Sequence, residues 1–185
     1  MKKEKLPNQL TILRIFMIPV FLIVLYLPHG AAVGTSYVSW IVAAIIFAVA
    51  SITDWLDGYL ARKWKVVSNF GKFADPLADK MLTMAAFVML IALGLAPAWV
   101  VAIIVCRELA VTGLRLLLVE QGGAVLAAAM PGKIKTFSQM FAIIFLLCHW
   151  TLPGQVLLYI ALIFTIYSGY DYFKGSSYLF KDTFK

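Results

Sequence analysis

Four of the nine acidic residues in this chain crowd between positions 54 and 79, with long apolar runs on either side: Asp54, Asp57, Asp75 and Asp79. Neighbouring carboxylates repel one another, and placing one in hydrocarbon costs about 2.5–3.5 kcal/mol. Hard divalent cations prefer oxygen ligands, and the Cys and His that zinc favours are absent from this part of the sequence. The stretch therefore predicts a site for Mg²⁺, Mn²⁺ or Ca²⁺. Two metals sharing these carboxylates would suit in-line phosphoryl transfer.

Helical spacing places the first two aspartates on one face with small residues. The positions i, i+3, i+4 and i+7 share one stripe of a helix, and they hold Asp54, Asp57, Gly58 and Ala61. Small residues let another group approach the helix backbone closely. Arg62 follows directly, where it can pair with phosphate oxygens.

The next predicted helix repeats the arrangement at intervals of four residues. Gly71, Asp75 and Asp79 lie on one of its faces. The linker between the two helices is short and basic, which favours antiparallel packing. The four carboxylates would then converge.

The surrounding sequence is that of a membrane protein. It has 185 residues, of which 63% are hydrophobic and 14% charged, whereas a soluble domain has about 25% charged residues. One membrane span needs about 20 apolar residues, and charge-free runs cover 15–53, 81–106 and 136–170. We therefore predict an all-α integral membrane protein with six transmembrane helices, at about 9–27, 37–62, 71–93, 98–119, 133–150 and 154–173. A single membrane-embedded domain would cover 1–185, with 1–8 as a basic segment at the membrane surface.

The placement of charge orients these spans. Every Lys, Arg, Asp and Glu lies in 1–14, 54–80, 107–135 or 171–185. Basic segments stay cytoplasmic, so both termini and the active site are predicted on the cytoplasmic side of the bundle. The net charge of +7 fits this bias and attraction to anionic lipid headgroups. The chain lacks a polar segment long enough for a nucleic-acid-binding domain, so membrane lipids and no nucleic acid are the expected partners.

Spans four and five carry a second polar group: Arg107, Glu108, Thr112, Arg115, Lys133 and Lys135. The Arg107–Glu108 pair lies about ten residues into its span, and ionisable residues at such depth mark functional sites. A buried ion pair that fixes helix packing would also explain it. The two lysines either set the topology or bind an anion at a helix N-terminus.

The first span begins with three polar residues at i, i+3 and i+6, which share a broad helical face: Asn8, Thr11 and Arg14. Arg14 either belongs to the functional site or is an anchor whose guanidinium extends toward the headgroups.

The run from Asp54 to Asp79, D-x-x-D-G-x-x-A-R-x8-G-x3-D-x3-D, resembles the motif of the CDP-alcohol phosphotransferase family at all eight fixed positions. The resemblance implies a six-span membrane enzyme, commonly a homodimer, that joins a CDP-linked donor to an alcohol and releases CMP. It implies that the four aspartates hold two Mg²⁺ or Mn²⁺ ions and that Asp79 is also the base for the acceptor hydroxyl. It further implies a CDP-binding set: Asp57, Gly58, Ala61, Arg62 and Gly71.

Four further segments are similar to those of family members that use CDP-diacylglycerol and glycerol 3-phosphate: 7–14 (PNQLTILR), 75–80 (DPLADK), 107–115 (REL with Thr112 and Arg115) and 132–136 (GKIKT). This similarity implies a phospholipid-synthesis enzyme of the bacterial cytoplasmic membrane. Four cations are predicted to bind the acceptor phosphate: Arg107, Arg115, Lys133 and Lys135. Additional site residues are predicted from the neighbouring polar positions: Asn8, Thr11, Arg14, Glu108 and Thr112.

Other functions are compatible with parts of this pattern. Another acceptor with the same donor, such as inositol phosphate or phosphatidylglycerol, would keep the aspartate motif, whereas the cationic group disfavours serine. A transporter would need polar residues along the whole membrane depth. The ionised groups here cluster toward one side, which favours an enzyme.

Overall fold

The computed structural model describes residues 2–26, 37–64, 69–120 and 130–175, with side chains described for 11–26, 37–54, 56, 77–115 and 130–175. Six α-helices occupy these ranges: α1 Lys2–Tyr26, α2 Tyr37–Trp64, α3 Asn69–Ala92, α4 Ala98–Glu120, α5 Met130–Leu147 and α6 Thr151–Gly175. The prediction of an all-α chain with six helices is confirmed for this part of the chain.

The helices begin and end within a few residues of the predicted spans, except at the start of α1. This helix begins at Lys2, so the basic segment predicted at 1–8 is helical from its second residue. Lys, Glu and Leu are strong helix formers, so the charged residues of this segment do not interrupt the helix. α3 begins at Asn69 and continues through Pro76.

The structure is consistent with a membrane protein. Two described segments are long and apolar enough to cross a bilayer by length and composition, Tyr37–Asp54 and Thr151–Gly175, and Thr11–Tyr26 is a shorter apolar stretch. α4 carries Arg107, Glu108 and Arg115, which interrupt its apolar stretch. Large apolar side chains such as Ile45 and Ile163 cover the outside of the bundle, as expected where lipid is the solvent.

Close packing holds the bundle together. α1 packs against α2 and α3, while α6 packs against α4 and α5. Large side chains that are almost fully buried fill the common core: Phe21, Phe47, Leu90, Ile104, Ile143 and Leu158. Small buried residues let the helices approach: Ala43, Ala50, Ala86, Ala142 and Ala161. In lipid the hydrophobic effect no longer drives helices together, so such packing supplies much of the attraction.

Two helices end in the same kind of turn at the end of the bundle opposite the aspartates. At the end of α3, Gly94 has a φ of 71° and the Leu95 N–H donates to Leu90 O at 2.8 Å. This is the hydrogen bonding of a Schellman motif. α5 ends similarly at His149, with a φ of 61°, and its ring stacks on Trp40 with centroids 3.9 Å apart. These turns reverse the chain toward the site.

α5 and α6 pack tightly where Gly154 faces Leu146. A Cβ on Gly154 would lie 2.7 Å from Leu146 Cγ and 3.1 Å from the Leu146 backbone nitrogen. Gly154→Ala is therefore expected to destabilise the fold by about 1–3 kcal/mol through overpacking, despite the better helix propensity of alanine. Gly113→Ala is the matched control, because a Cβ there meets nothing within 4 Å. Thermal unfolding in detergent measures both, and equal Tm values would contradict the packing argument.

Candidate active site

The backbones of α2 and α3 carry the aspartate motif. α2 is helical beyond Arg62 and α3 is helical from Asn69, so the motif positions on each helix share a face. α2 and α3 also contact each other. Two motif residues, Asp54 and Asp79, have described side chains. The side chains at the other six motif positions lie outside the described set: Asp57, Gly58, Ala61, Arg62, Gly71 and Asp75.

Arg14 joins α1 to the first motif aspartate. Its side chain is fully buried, and Nη1 lies 2.6 Å from Asp54 Oδ1, whose side chain is 35% exposed. Thr11, on the same part of α1, is also fully buried, while the side chain of Asn8 lies outside the described set. Burial of the whole guanidinium and its pairing with a motif carboxylate exclude the interpretation of Arg14 as a headgroup anchor.

The metal site itself stays a prediction. Among the described side chains, no three Asp, Glu, His or Cys residues lie close enough together to hold a metal ion. That set contains Asp54 and Asp79, whereas the other two motif aspartates lie outside it.

A single carboxylate on α4 pairs with three cations. Glu108 is buried, with Oε2 bound to Lys80 Nζ of α3 and Oε1 to Lys135 Nζ of α5. Arg107 Nη1 lies 3.0 Å from the same Oε1. We call Lys80, Arg107, Glu108 and Lys135 the Glu108 cluster. Its charges do not cancel, because two positive charges remain in excess.

A cavity of about 30 Å³ borders this cluster. One water needs about 10–15 Å³ by this measure, so the cavity has room for a few water molecules. Its polar lining comes from α3, α4 and α5 and includes Asp79, Lys80, Glu108, Lys135 and Gln139, and its apolar lining includes Phe87 and Ile104. The site thus brings the carboxylate predicted as base to the same cavity as two lysines. It can receive an anionic group beside a proton acceptor.

Some of the predicted cations do not reach this cavity. Lys133 is exposed, because two residues correspond to about 200° of rotation from the buried Lys135. The guanidinium of Arg115 lies over the ring of Tyr172, 5.3 Å from its centroid, a cation–π arrangement. The Thr112 hydroxyl donates to the backbone oxygen of Glu108 at 2.7 Å. Of the four predicted phosphate ligands, Lys135 lines the cavity. Arg107 does not line it but pairs with Glu108, which does.

Sequence reasoning assigned no role to three residues of this site. Lys80 is one, although it ends the 75–80 segment that is similar to family members, and a charged residue beside Asp79 at the start of an apolar run was a usable signal. On α6, Ser168 Oγ lies 2.9 Å from Arg107 Nη2, which donates to it. Gly169 leaves room for the same arginine, since a Cβ there would lie 3.2 Å from Arg107 Cγ. Nothing in the sequence distinguishes Ser168 or Gly169 from the other small residues of α6.

The motif faces on α2 and α3 and the all-helical fold agree with the comparison of this chain with known protein families. A family model described as CDP-alcohol phosphatidyltransferase matches residues 4–167, and the chain belongs to this family. The family resemblance of the motif is thereby confirmed.

Three relatives of this chain are named CDP-diacylglycerol–glycerol-3-phosphate 3-phosphatidyltransferase. The protein of Bacillus subtilis (strain 168) is 48% identical over 182 residues, covering 91% of this chain and 93% of its own length. The Haemophilus influenzae protein is 39% identical over 185 residues, covering 94% and 96%. The Rickettsia bellii protein is 39% identical over 184 residues, covering 93% and 95%.

Proposed function

We propose that this protein transfers the phosphatidyl group of CDP-diacylglycerol to glycerol 3-phosphate, giving phosphatidylglycerophosphate and CMP. Relatives whose names state this activity cover at least 91% of the chain. The observation that carries the proposal is the cavity at which Asp79 meets Lys80 and Lys135. An acceptor with both a hydroxyl and a phosphate matches a carboxylate beside two ammonium groups.

In the proposed step, Asp79 takes the proton of the acceptor hydroxyl. The hydroxyl oxygen forms a bond to the β-phosphorus of the donor, and the bond from that phosphorus to the bridging oxygen of the diphosphate breaks. CMP leaves with the bridging oxygen and its electron pair. Arg62 pairs with the diphosphate oxygens. The small motif residues leave space for the cytidine: Gly58, Ala61 and Gly71.

The donor set at the motif fits two divalent cations, Mg²⁺ or Mn²⁺. It consists of carboxylates alone. Asp54 on α2 is paired with Arg14 through Oδ1 but is partly exposed, so its carboxylate can still coordinate a cation. Asp57, Asp75 and Asp79 would complete the set from the same helix faces. Bound there, the cations would offset the repulsion among the carboxylates and stabilise the negative charge on the diphosphate.

We place the six helices across the bacterial cytoplasmic membrane, with both termini and the site on the cytoplasmic side. One feature supports this topology: the turns at 93–97 and 148–150 carry no Lys, Arg, Asp or Glu, as expected of segments on the outer side of the membrane, because basic segments stay cytoplasmic. We further infer one domain over 1–185, since the family model covers most of it. The family resemblance supports a homodimer.

Acceptor choice is tested with purified protein in mixed micelles of CDP-diacylglycerol. CMP release is measured with glycerol 3-phosphate, inositol phosphate, phosphatidylglycerol or serine, each with Mg²⁺ or Mn²⁺. We expect the highest kcat/KM with glycerol 3-phosphate and no release after chelation of the metal. Turnover with another acceptor alone would contradict the acceptor assignment, and no CMP release with any of them would contradict the transferase assignment.

A further inference from the structure

The Glu108 cluster links the acceptor side of the site across three helices. Lys80 on α3 and Lys135 on α5 both reach α4, and each ammonium binds a different oxygen of the Glu108 carboxylate. One carboxylate therefore holds both Nζ atoms, at the wall of the cavity that Asp79 also lines.

Holding the lysines is a problem that the fold must solve. A lysine side chain has a flexible four-carbon stem, and fixing it in one rotamer costs about 2 kcal/mol of entropy. A partner group must therefore hold its ammonium in place. Without a shared counter-ion, two ammonium groups at one cavity would repel each other and turn toward separate solvent or backbone partners. Glu108 removes both difficulties at once.

The cluster has the wrong charge for a pair that serves packing alone. One cation would neutralise Glu108, yet Lys80, Lys135 and Arg107 all contact it. The cluster has two positive charges in excess, and one remains when the Asp79 carboxylate at the same cavity is counted; this charge is opposite in sign to that of a phosphate monoester, which is about −1.5 to −2. A sealed core would also lack the adjoining cavity. The excess charge and the cavity together indicate a place prepared for an anion.

Glu108 itself is not the group that accepts a proton. Both of its oxygens already bind ammonium groups, and Asp79 is the other carboxylate at the cavity. We propose that Glu108 is a positioning residue for the acceptor: it holds Lys80 and Lys135 where they bind the acceptor phosphate, without touching the substrate. This inference rests on the proposed function and deepens it.

Glu108→Gln tests the inference, because glutamine keeps the shape but loses the charge that holds both ammonium groups. We expect the KM for glycerol 3-phosphate to rise at least tenfold, while the KM for CDP-diacylglycerol changes less than twofold. Glu108→Asp keeps the charge and is expected to give an intermediate KM. Ser138→Ala is the control: Ser138 is buried on α5, and its hydroxyl bonds only to backbone oxygens, those of Ile134 at 2.8 Å and Lys135 at 3.0 Å. The Lys135 ammonium keeps its partner, so both KM values should be unchanged.

A second experiment separates positioning from a general structural effect. If Glu108 acts through the lysines, Glu108→Gln should change the KM for the acceptor less than twofold in a Lys80→Gln/Lys135→Gln background. Equal rises in both KM values, or a fall in kcat with the acceptor KM unchanged, would overturn the proposal. A lower KM for the acceptor would also overturn it, since Glu108 would then compete with the phosphate.

The outcome for the proposed function is read separately, from the wild-type protein. If it turns over a different acceptor, the proposed function fails, and the Glu108 variants are then assayed on the acceptor that is used. An effect confined to that acceptor's KM still supports positioning, and its absence overturns it. Should Glu108→Gln fail to assemble, Glu108→Asp and the lysine double variant decide the question.

Discussion

Asp79→Asn is expected to lower the rate of CMP release at least a hundredfold while the helical bundle still assembles. Asparagine has nearly the same shape as aspartate, but it cannot accept the proton of the acceptor hydroxyl. General base catalysis contributes about 10²–10⁴ to the rate of such reactions. Asp79 lines the cavity next to the Glu108 cluster. The fold should tolerate the substitution, because Lys80 and Lys135 keep Glu108 as their partner. Initial rates at saturating substrates measure the loss.

Asp171→Asn is the matched control for this experiment. Asp171 is exposed near the end of α6, and the same substitution there should leave the rate within twofold of wild type. Because Asp79 is also proposed as a metal ligand, the rates are compared over a range of Mg²⁺ or Mn²⁺ concentrations. Full recovery of Asp79→Asn at high metal would limit the role of Asp79 to metal binding, and a rate within tenfold of wild type at ordinary metal concentrations would contradict the base assignment.

The parts of the site that depend on spacing along a helix could be predicted from the sequence. Positions such as Asp54 and Asp57, or Asp75 and Asp79, lie on one face of a helix whatever the tertiary structure, because the helical period is fixed. Long apolar runs and their interruptions likewise predicted six helices. Residues 2–8 were harder, since a short run of charged helix formers fits both a surface segment and the first turns of α1.

The contacts between helices could not be predicted in this way. They depend on how each helix is rotated about its axis, which packing decides. Glu108 had a visible neighbour in Arg107, but its partners Lys80 and Lys135 lie on other helices. In the same way, Ser168 matters only because α6 packs against α4 at Arg107. In the sequence, each of these residues can also be explained as an ordinary packing or surface residue. Only the contacts between helices show that they belong to one site.

The two ends of the bundle are held by different forces. At the site end, polar links join the helices: Arg14 to Asp54 between α1 and α2, the Glu108 cluster between α3, α4 and α5, and Arg107 to Ser168 between α4 and α6. At the other end lie apolar and aromatic packing, such as Gly154 on Leu146, and a polar link in which Gln155 Nε2 donates to Leu95 O. Changes at the two ends should therefore separate, with loss of activity at the first and loss of stability at the second.

Lys135→Met is expected to raise the KM for glycerol 3-phosphate about 10–100-fold, because it removes a hydrogen bond to a charged group worth about 1.5–3 kcal/mol. Methionine retains the apolar stem, and Glu108 keeps Lys80 and Arg107 as partners, so the fold is preserved. Lys133→Met is the control: the residue type, the substitution and the helix are the same, but Lys133 is exposed whereas Lys135 is 6% exposed. The KM of the Lys133→Met variant for glycerol 3-phosphate should stay within twofold of the wild-type value. Equal effects of the two substitutions would mean that the acceptor responds to general basic charge near the start of α5, and would contradict a direct contact with Lys135.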